Sequence, residues 1–255
     1  MPIRAYCRIP HAKSNATRAE EGSCPELIYD LFNELRGATE IHIAAYLFNN
    51  PIYYNFLSDQ VDNGCRVQIT SLPISGYNDK PVRVKGYADK VSGRQLAQET
   101  YNKIITKPNM VLKIFPHLYV WYGALYVGGG PSYSFHVKAV YAKFPKGHNK
   151  CILSSGNFMT TDPFHSDNII VFEDMQNYEI PFKNFFADLE KHSVPYSDFI
   201  KDFAQYEKQF LYSFVGNEII VSQKQSENCF FSAPFYFYGT VGSNHYAGNK
   251  IIELI

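Results

Sequence analysis

The sequence predicts an α/β domain: a mixed, largely parallel β-sheet with helices on both faces. Three observations carry that prediction. Between residues 23 and 72 a helix signal, an apolar strand signal, a second helix and a second strand follow one another, the order that builds parallel units. Their connections are only a few residues long, which keeps successive elements adjacent in space. Further strand-like runs recur between residues 133 and 172.

Residues 4–9 alternate weakly and are expected to form a first strand, and the polar stretch 10–22 a loop. Ser23 then caps a helix, Pro25 stands in its first turn, and Glu26 completes a capping box. Leu27, Ile28, Leu31, Phe32 and Leu35 form its apolar stripe, and Gly37 ends it. Residues 40–47 (EIHIAAYL) form a short apolar run, the pattern of a buried strand. Pro51 opens a second helix that Gly64 closes, and residues 65–72 form the next strand.

Residues 73–86 carry turn signals. A surface helix is expected over 92–107, with Leu96, Tyr101, Ile104 and Ile105 inward. Strands are expected over 111–115, 118–122, 133–144, 151–153, 168–172 and 218–222, and helices over 181–191 and 196–210. Residues 249–255 begin an apolar helical pattern that faintly repeats residues 25–32, which hints at a duplication. The division expected is therefore residues 1–215 as one domain and 216–255 as the start of a second repeat or a C-terminal extension.

Composition narrows the function classes. Across 255 residues the 24 Lys+Arg cancel the 24 Asp+Glu, which argues against a wholly basic nucleic-acid coat but leaves room for a local basic site. Hydrophobic residues reach 45%, too many for a disordered chain. No apolar run is long enough to span a bilayer, and the N-terminus lacks a secretory core, so a cytoplasmic protein is expected. The five cysteines are widely spaced with no C-x-x-C pair, and read as reduced thiols rather than a disulfide frame or zinc site. No cofactor and no metal are expected, since no His/Cys/Asp/Glu cluster has ligand spacing.

Three His-x-Lys triplets occur. His11/Lys13 falls in a polar loop and His148/Lys150 in a turn, and both read as chance. His136/Lys138 is placed on an expected strand, where residues two apart share a face, so the imidazole and ammonium project together. Downstream, residues 151–157 form a strand running into Ser155, Gly156 and Asn157. Small residues there let backbone approach a ligand, and an amide donates to an oxyanion without adding charge. Asp167 stands at the mouth of another buried strand. A proton-carrying imidazole, a fixed cation, a neutral donor and a carboxylate form the set that a phosphodiester transition state requires.

These residues resemble the signature of the phospholipase D superfamily: His136-x-Lys138, then Ser154-Ser155-Gly156-Asn157, then Ser166-Asp167-Asn168 before an apolar strand. The resemblance spans roughly residues 20–195 and is specific over 136–172. It implies that His136 attacks phosphorus, or protonates the leaving group, through a phosphohistidine intermediate. It implies that Lys138 and Asn157 hold the non-bridging oxygens, that Ser155 supports that turn, that Ser155 and Gly156 line the substrate-binding site, and that Asp167 hydrogen-bonds a histidine and sets its tautomer. One departure is plain: the family places an Asp five positions after the lysine, where this chain has Lys143.

The function expected is thus a metal-independent phosphodiesterase, nuclease-like, with nucleic acid favoured over phospholipid as substrate. A catalytically degenerate phosphate-binding module is the rival of another class. The chemistry needs two histidines and one motif is present, so a homodimer or a second repeat would complete the site. His42 reads as a hydrogen-bonded sheet histidine, His165 as at most a substrate-loop residue, and Gly128–Gly130 as a turn. Tyr119, Trp121, Tyr122 and Tyr126 read as core before base-stacking.

Overall fold

The structure, a computed structural model, describes residues 2–8, 26–74, 81–82, 89–115, 136–159 and 167–201. Several expectations lie outside these residues: the loop at 10–22 with its Ser23 cap, the strands at 118–122 and 218–222, Gly128–Gly130, the aromatic cluster 119–126, His165, most of the helix at 196–210, and the domain boundary at 215.

In chain order the elements are β1 (Ile3–Arg8), α1 (Glu26–Leu35), β2 (Glu40–Ala45), α2 (Pro51–Asp62), β3 (Arg66–Ser71), β4 (Pro81–Val82), β5 (Val91–Ser92), α3 (Gly93–Thr106), β6 (Met110–Ile114), β7 (Lys138–Lys143), β8 (Asn149–Ser154), β9 (Asp167–Glu173), α4 (Gln176–Lys191), β10 (Val194–Pro195) and α5 (Tyr196–Phe199). Eight strands form one sheet in the order β1-β9-β8-β7-β2-β3-β6-β10. Its mixed character is as expected, but the parallel part is confined to β2, β3 and β6. The remaining neighbours are antiparallel. The reason is the connections: a parallel pair needs a crossover, which α2 and α3 supply, whereas only a tight turn at Pro145–Gly147 links β7 to β8.

Helices cover both faces. Ile41 and Ile43 of β2, Val140 and Ala142 of β7, and Ile169 and Val171 of β9 face a core shared with α1, α2, α3 and α5. The alternate residues, Ala44, Ala139, Tyr141 and Cys151, pack on Phe182, Phe185, Phe186 and Leu189 of α4. That alternation is the two-residue period of the strands. Each wholly buried Phe on α4 contributes about 2 kcal/mol.

The helix limits mostly follow their caps. Gly37 and Gly64 adopt φ of 81° and 90° past the ends of α1 and α2, the left-handed turn that a side chain resists. The Ser92 hydroxyl accepts from the Gln95 amide at 3.0 Å and starts α3. Two expectations need correction. Ile105 is 40% exposed, because the buried stripe of α3 centres on Ala97, Thr100, Tyr101 and Ile104. Helix α4 begins five residues before Pro181, with the Tyr178 and Glu179 amides donating to the Met175 carbonyl. Stacking of Tyr178 on Phe172 at 4.0 Å draws that extra turn onto the sheet. Cys7, Cys65 and Cys151 are free thiols, the last two buried.

Candidate active site

Four chain segments meet at one edge of the sheet. Ala45 at the end of β2 pairs with Lys138 at the start of β7. Leu153, next to the end of β8, pairs with Ala139. Ser154 pairs with Ile169, just inside the start of β9. Because β3 and β6 run parallel to β2, this is also the edge where their carboxyl ends emerge, the usual place for ligands in open α/β sheets.

His136 and Val137 precede the β7 ladder rather than lying within it, which corrects the expected strand of 133–144 at its front. The Tyr46 amide donates to the Val137 carbonyl at 3.0 Å and extends the pairing by one step. Lys138 is only 8% exposed, and its Nζ lies 2.8 Å from His136 Nδ1 and 2.9 Å from Nε2. It also donates to the His136 carbonyl at 3.2 Å and lies 5.7 Å from the Tyr46 ring centre. Burial lowers the His136 pKa, and the positive charge of Lys138 lowers it further. The imidazole is therefore held toward its neutral form beside a fixed cation.

The turn after β8 is knitted to β9. Ser155 Oγ donates to Asp167 Oδ1 at 2.7 Å and accepts from the Asn168 amide at 2.9 Å. The Gly156 amide donates to Ser154 Oγ at 3.0 Å. A Cβ on Gly156 would stand 3.3 Å from Asp167 Oδ2, so glycine is what lets that carboxylate lie against the backbone. Oδ2 itself is buried with no hydrogen-bond partner among the described residues. Asp167 thus takes its hydrogen bond from Ser155, and no bond joins it to His136 among the described residues.

Beyond Asn157 the chain reaches the far side of β7. The Phe158 carbonyl accepts from the Asn49 and Asn50 amides, each at 3.3 Å, in the segment that follows β2. Since β7 separates β8 from β2 in the sheet, the turn that carries Asn157 passes the end of β7 where Lys138 enters. Two strand spacings, roughly 10 Å, are within the reach of the four residue steps from Ser154 to Phe158.

The structure therefore joins His136 to Lys138 and Ser155 to Asp167, and carries the chain on through Asn157 to the Phe158 carbonyl that Asn49 and Asn50 hold. Two contributors escape the sequence reading. Tyr46, whose ring meets His136 edge to face at 4.7 Å, carries only the signal of an aromatic at a strand end. Asn50, buried at 2%, stands before Pro51 as an ordinary cap. Lys143 lies at the opposite end of β7, about 17 Å away along the strand, where it pairs with Glu40 at 3.0 Å. His42 bonds Glu40 at 2.5 Å in the same cluster. His148 bonds Asp174 at 2.6 Å, and Lys150 bonds Glu34, so that triplet has no joint site.

Among the described residues no group of three or more His, Cys, Asp or Glu side chains is placed to hold a metal ion. Nor is any described helix long and apolar enough to cross a membrane.

No protein-family model matches the chain, and no curated protein matches it by sequence. Solved structures do match. NucT from Helicobacter pylori is 14% identical, with 76% of this chain and 99% of that one covered at a TM-score of 0.51. Nuc from Salmonella typhimurium, described as a phospholipase D family member, is 15% identical, with 76% and 97% covered at 0.47. A phosphatidylserine synthase of Haemophilus influenzae is 14% identical, with 82% and 47% covered at 0.46. The likeness to NucT shows the fold alone: this chain shares the mixed α/β fold of that structure.

Proposed function

We propose that this protein is a metal-independent phosphodiesterase that works through a phosphohistidine intermediate, with nucleic acid as the favoured substrate. The observation that carries the reading is the pairing of a neutral-leaning imidazole, His136, with the buried ammonium of Lys138 at the carboxyl edge of the sheet. A neutral ring nitrogen is a nucleophile, and a cation already fixed beside it stabilises charge that develops on phosphoryl oxygens.

In this reading a His136 ring nitrogen attacks phosphorus, the nitrogen–phosphorus bond forms, and the bond to the leaving oxygen breaks. Lys138 and the Asn157 amide hold the non-bridging oxygens. Asp167, anchored by Ser155, would orient a histidine, and Gly156 keeps the turn close to it. The leaving oxygen takes its proton from a second histidine, and water activated by that same residue then releases the phosphoryl group. One His-x-Lys set supplies one of these two roles, so a second set, from another copy of the chain or a second repeat, is part of the proposal.

The test is cleavage of labelled DNA and of phosphatidylcholine vesicles in parallel, in EDTA, by the wild-type protein and by His136→Ala. DNA cleavage that persists in EDTA and disappears in the variant supports the reading. Head-group release alone would transfer the same chemistry to lipid. Activity that EDTA abolishes would replace it with a metal hydrolase, and none on either substrate would leave a phosphate-binding module.

A further inference from the structure

Asn50 makes two connections at once. Its Oδ1 accepts from the Ile52 amide at 3.0 Å, which caps α2. Its Nδ2 donates to the Met159 carbonyl at 3.0 Å. Its own backbone amide and that of Asn49 both donate to the Phe158 carbonyl. Asn49 and Asn50 are 0% and 2% exposed, so these are interior bonds in a dry setting.

What they hold is a strained turn. Phe158 has φ of 59°, a left-handed conformation that is unfavourable for a bulky residue and persists only where the surroundings impose it. Its side chain is 2% exposed, and its ring packs against Tyr53 of α2 at 5.1 Å and against Phe48 at 6.2 Å. The reversal at Phe158 sets where the preceding residue, Asn157, presents its amide.

We propose that Asn50 is a positioning residue that fixes the Asn157 turn against the start of α2 and so sets the placement of the Asn157 amide. The proposal rests on the reading of Asn157 as a holder of phosphoryl oxygen. Asn50 touches no substrate and acts through the Phe158–Met159 backbone.

Two substitutions separate this role from capping. Asn50→Ser and Asn50→Asp both keep a side-chain oxygen for the Ile52 amide, and both remove the Nδ2 donor to Met159. Serine introduces no charge, so it stands as the control should a buried carboxylate prevent folding.

With bis(4-nitrophenyl) phosphate as the probe, the folded Asn50→Ser protein is expected to lose roughly one to two orders of magnitude in kcat, because a donor misplaced by about 1 Å costs on that scale. KM should change much less, and the thermal midpoint should fall by only a few degrees, the cost of a lost interior bond to Met159. In the 15N-labelled protein, the amide signals of Gly156, Asn157 and Phe158 should shift while those of α2 beyond Ile52 hold. An active wild type with undiminished kcat in a folded Asn50→Ser variant overturns the positioning role. So do unshifted Gly156–Phe158 signals, which decide the matter even if the wild type hydrolyses no phosphodiester. That last result, by itself, would sink only the phosphodiesterase reading.

Discussion

The Tyr46 ring meets the His136 imidazole edge to face, with centroids 4.7 Å apart and planes at 65°. Edge-to-face contact fixes ring orientation, and the phenol ring also withdraws the imidazole from water. Burial is the larger cause of the lowered His136 pKa, with Lys138 second. The charged or titratable groups that face His136 among the described residues are Lys138 from β7 and Tyr46 from the end of β2.

Tyr46→Ala should therefore return water to His136 and raise its pKa toward the ordinary value near 6.5. The neutral nucleophile then disappears at a higher pH, and the acid limb of the rate profile moves up. With the limb displaced upward, the rate falls at pH values below both pKa values and is unchanged well above them. Tyr46→Phe keeps the ring and should keep the wild-type limb. A proton NMR titration of His136 checks the same displacement without substrate. An unchanged pKa in Tyr46→Ala would show that the ring does not keep water from the imidazole.

Lys143 stands where the phospholipase D signature has an aspartate. At the far end of β7 it bonds Glu40, which also takes Arg66 at 2.8 Å and His42 at 2.5 Å. That cluster is structural, and the departure from the signature lies far from His136. Lys143→Asp would set two carboxylates side by side and is expected to cost about 1–2 kcal/mol of stability, since a cross-strand ion pair becomes a like-charge pair. Catalytic rate per folded molecule should be unchanged. Denaturant unfolding gives the first quantity and active-site titration the second. A large fall in rate would show that this end of β7 reaches the chemistry.

Much of this is legible in the sequence, and the limits of that legibility are physical. Caps and apolar periods locate α1, α2, α3 and the central strands because each is decided by neighbours in sequence: Gly64 by its turn, Ser92 by the amide of Gln95. The direction of β7, β8 and β9 is not decided that way. Apolar runs report burial and are silent on polarity, so they understate the antiparallel share of the sheet. Proline favours a first turn, which places the start of α4 at Pro181 on local grounds. Stacking of Tyr178 on Phe172, a contact across elements, overrides that local preference. At the site, His136, Lys138, Ser155, Gly156, Asn157 and Asp167 carry a spacing signature. Tyr46 and Asn50 carry none, since each gains its place through a contact more than 80 residues away in the chain.

A second cluster sets the acid limit of the fold. Glu34, 5% exposed, accepts from Arg4 at 2.7 Å, from Tyr6 at 2.5 Å and from Lys150 at 2.9 Å, tying α1 to β1 and β8. Burial works to raise its carboxyl, but the bonds from Arg4, Tyr6 and Lys150 outweigh that and hold the pKa at about 2. At Glu40 the bonds from His42 and Lys143 outweigh burial to the same result, about 2. Both folded values lie below the unfolded one of 4.5, so the stabilisation is complete above that pH and is lost as pH falls from 4.5 toward 2. Glu34→Gln should remove its share of that acid dependence and, at neutral pH, cost about 3 kcal/mol, because Lys150 and Tyr6 would remain in place without their anion. Urea unfolding midpoints between pH 3 and 7 check both statements. A variant whose midpoint falls with acid as steeply as the wild type would assign the acid sensitivity elsewhere.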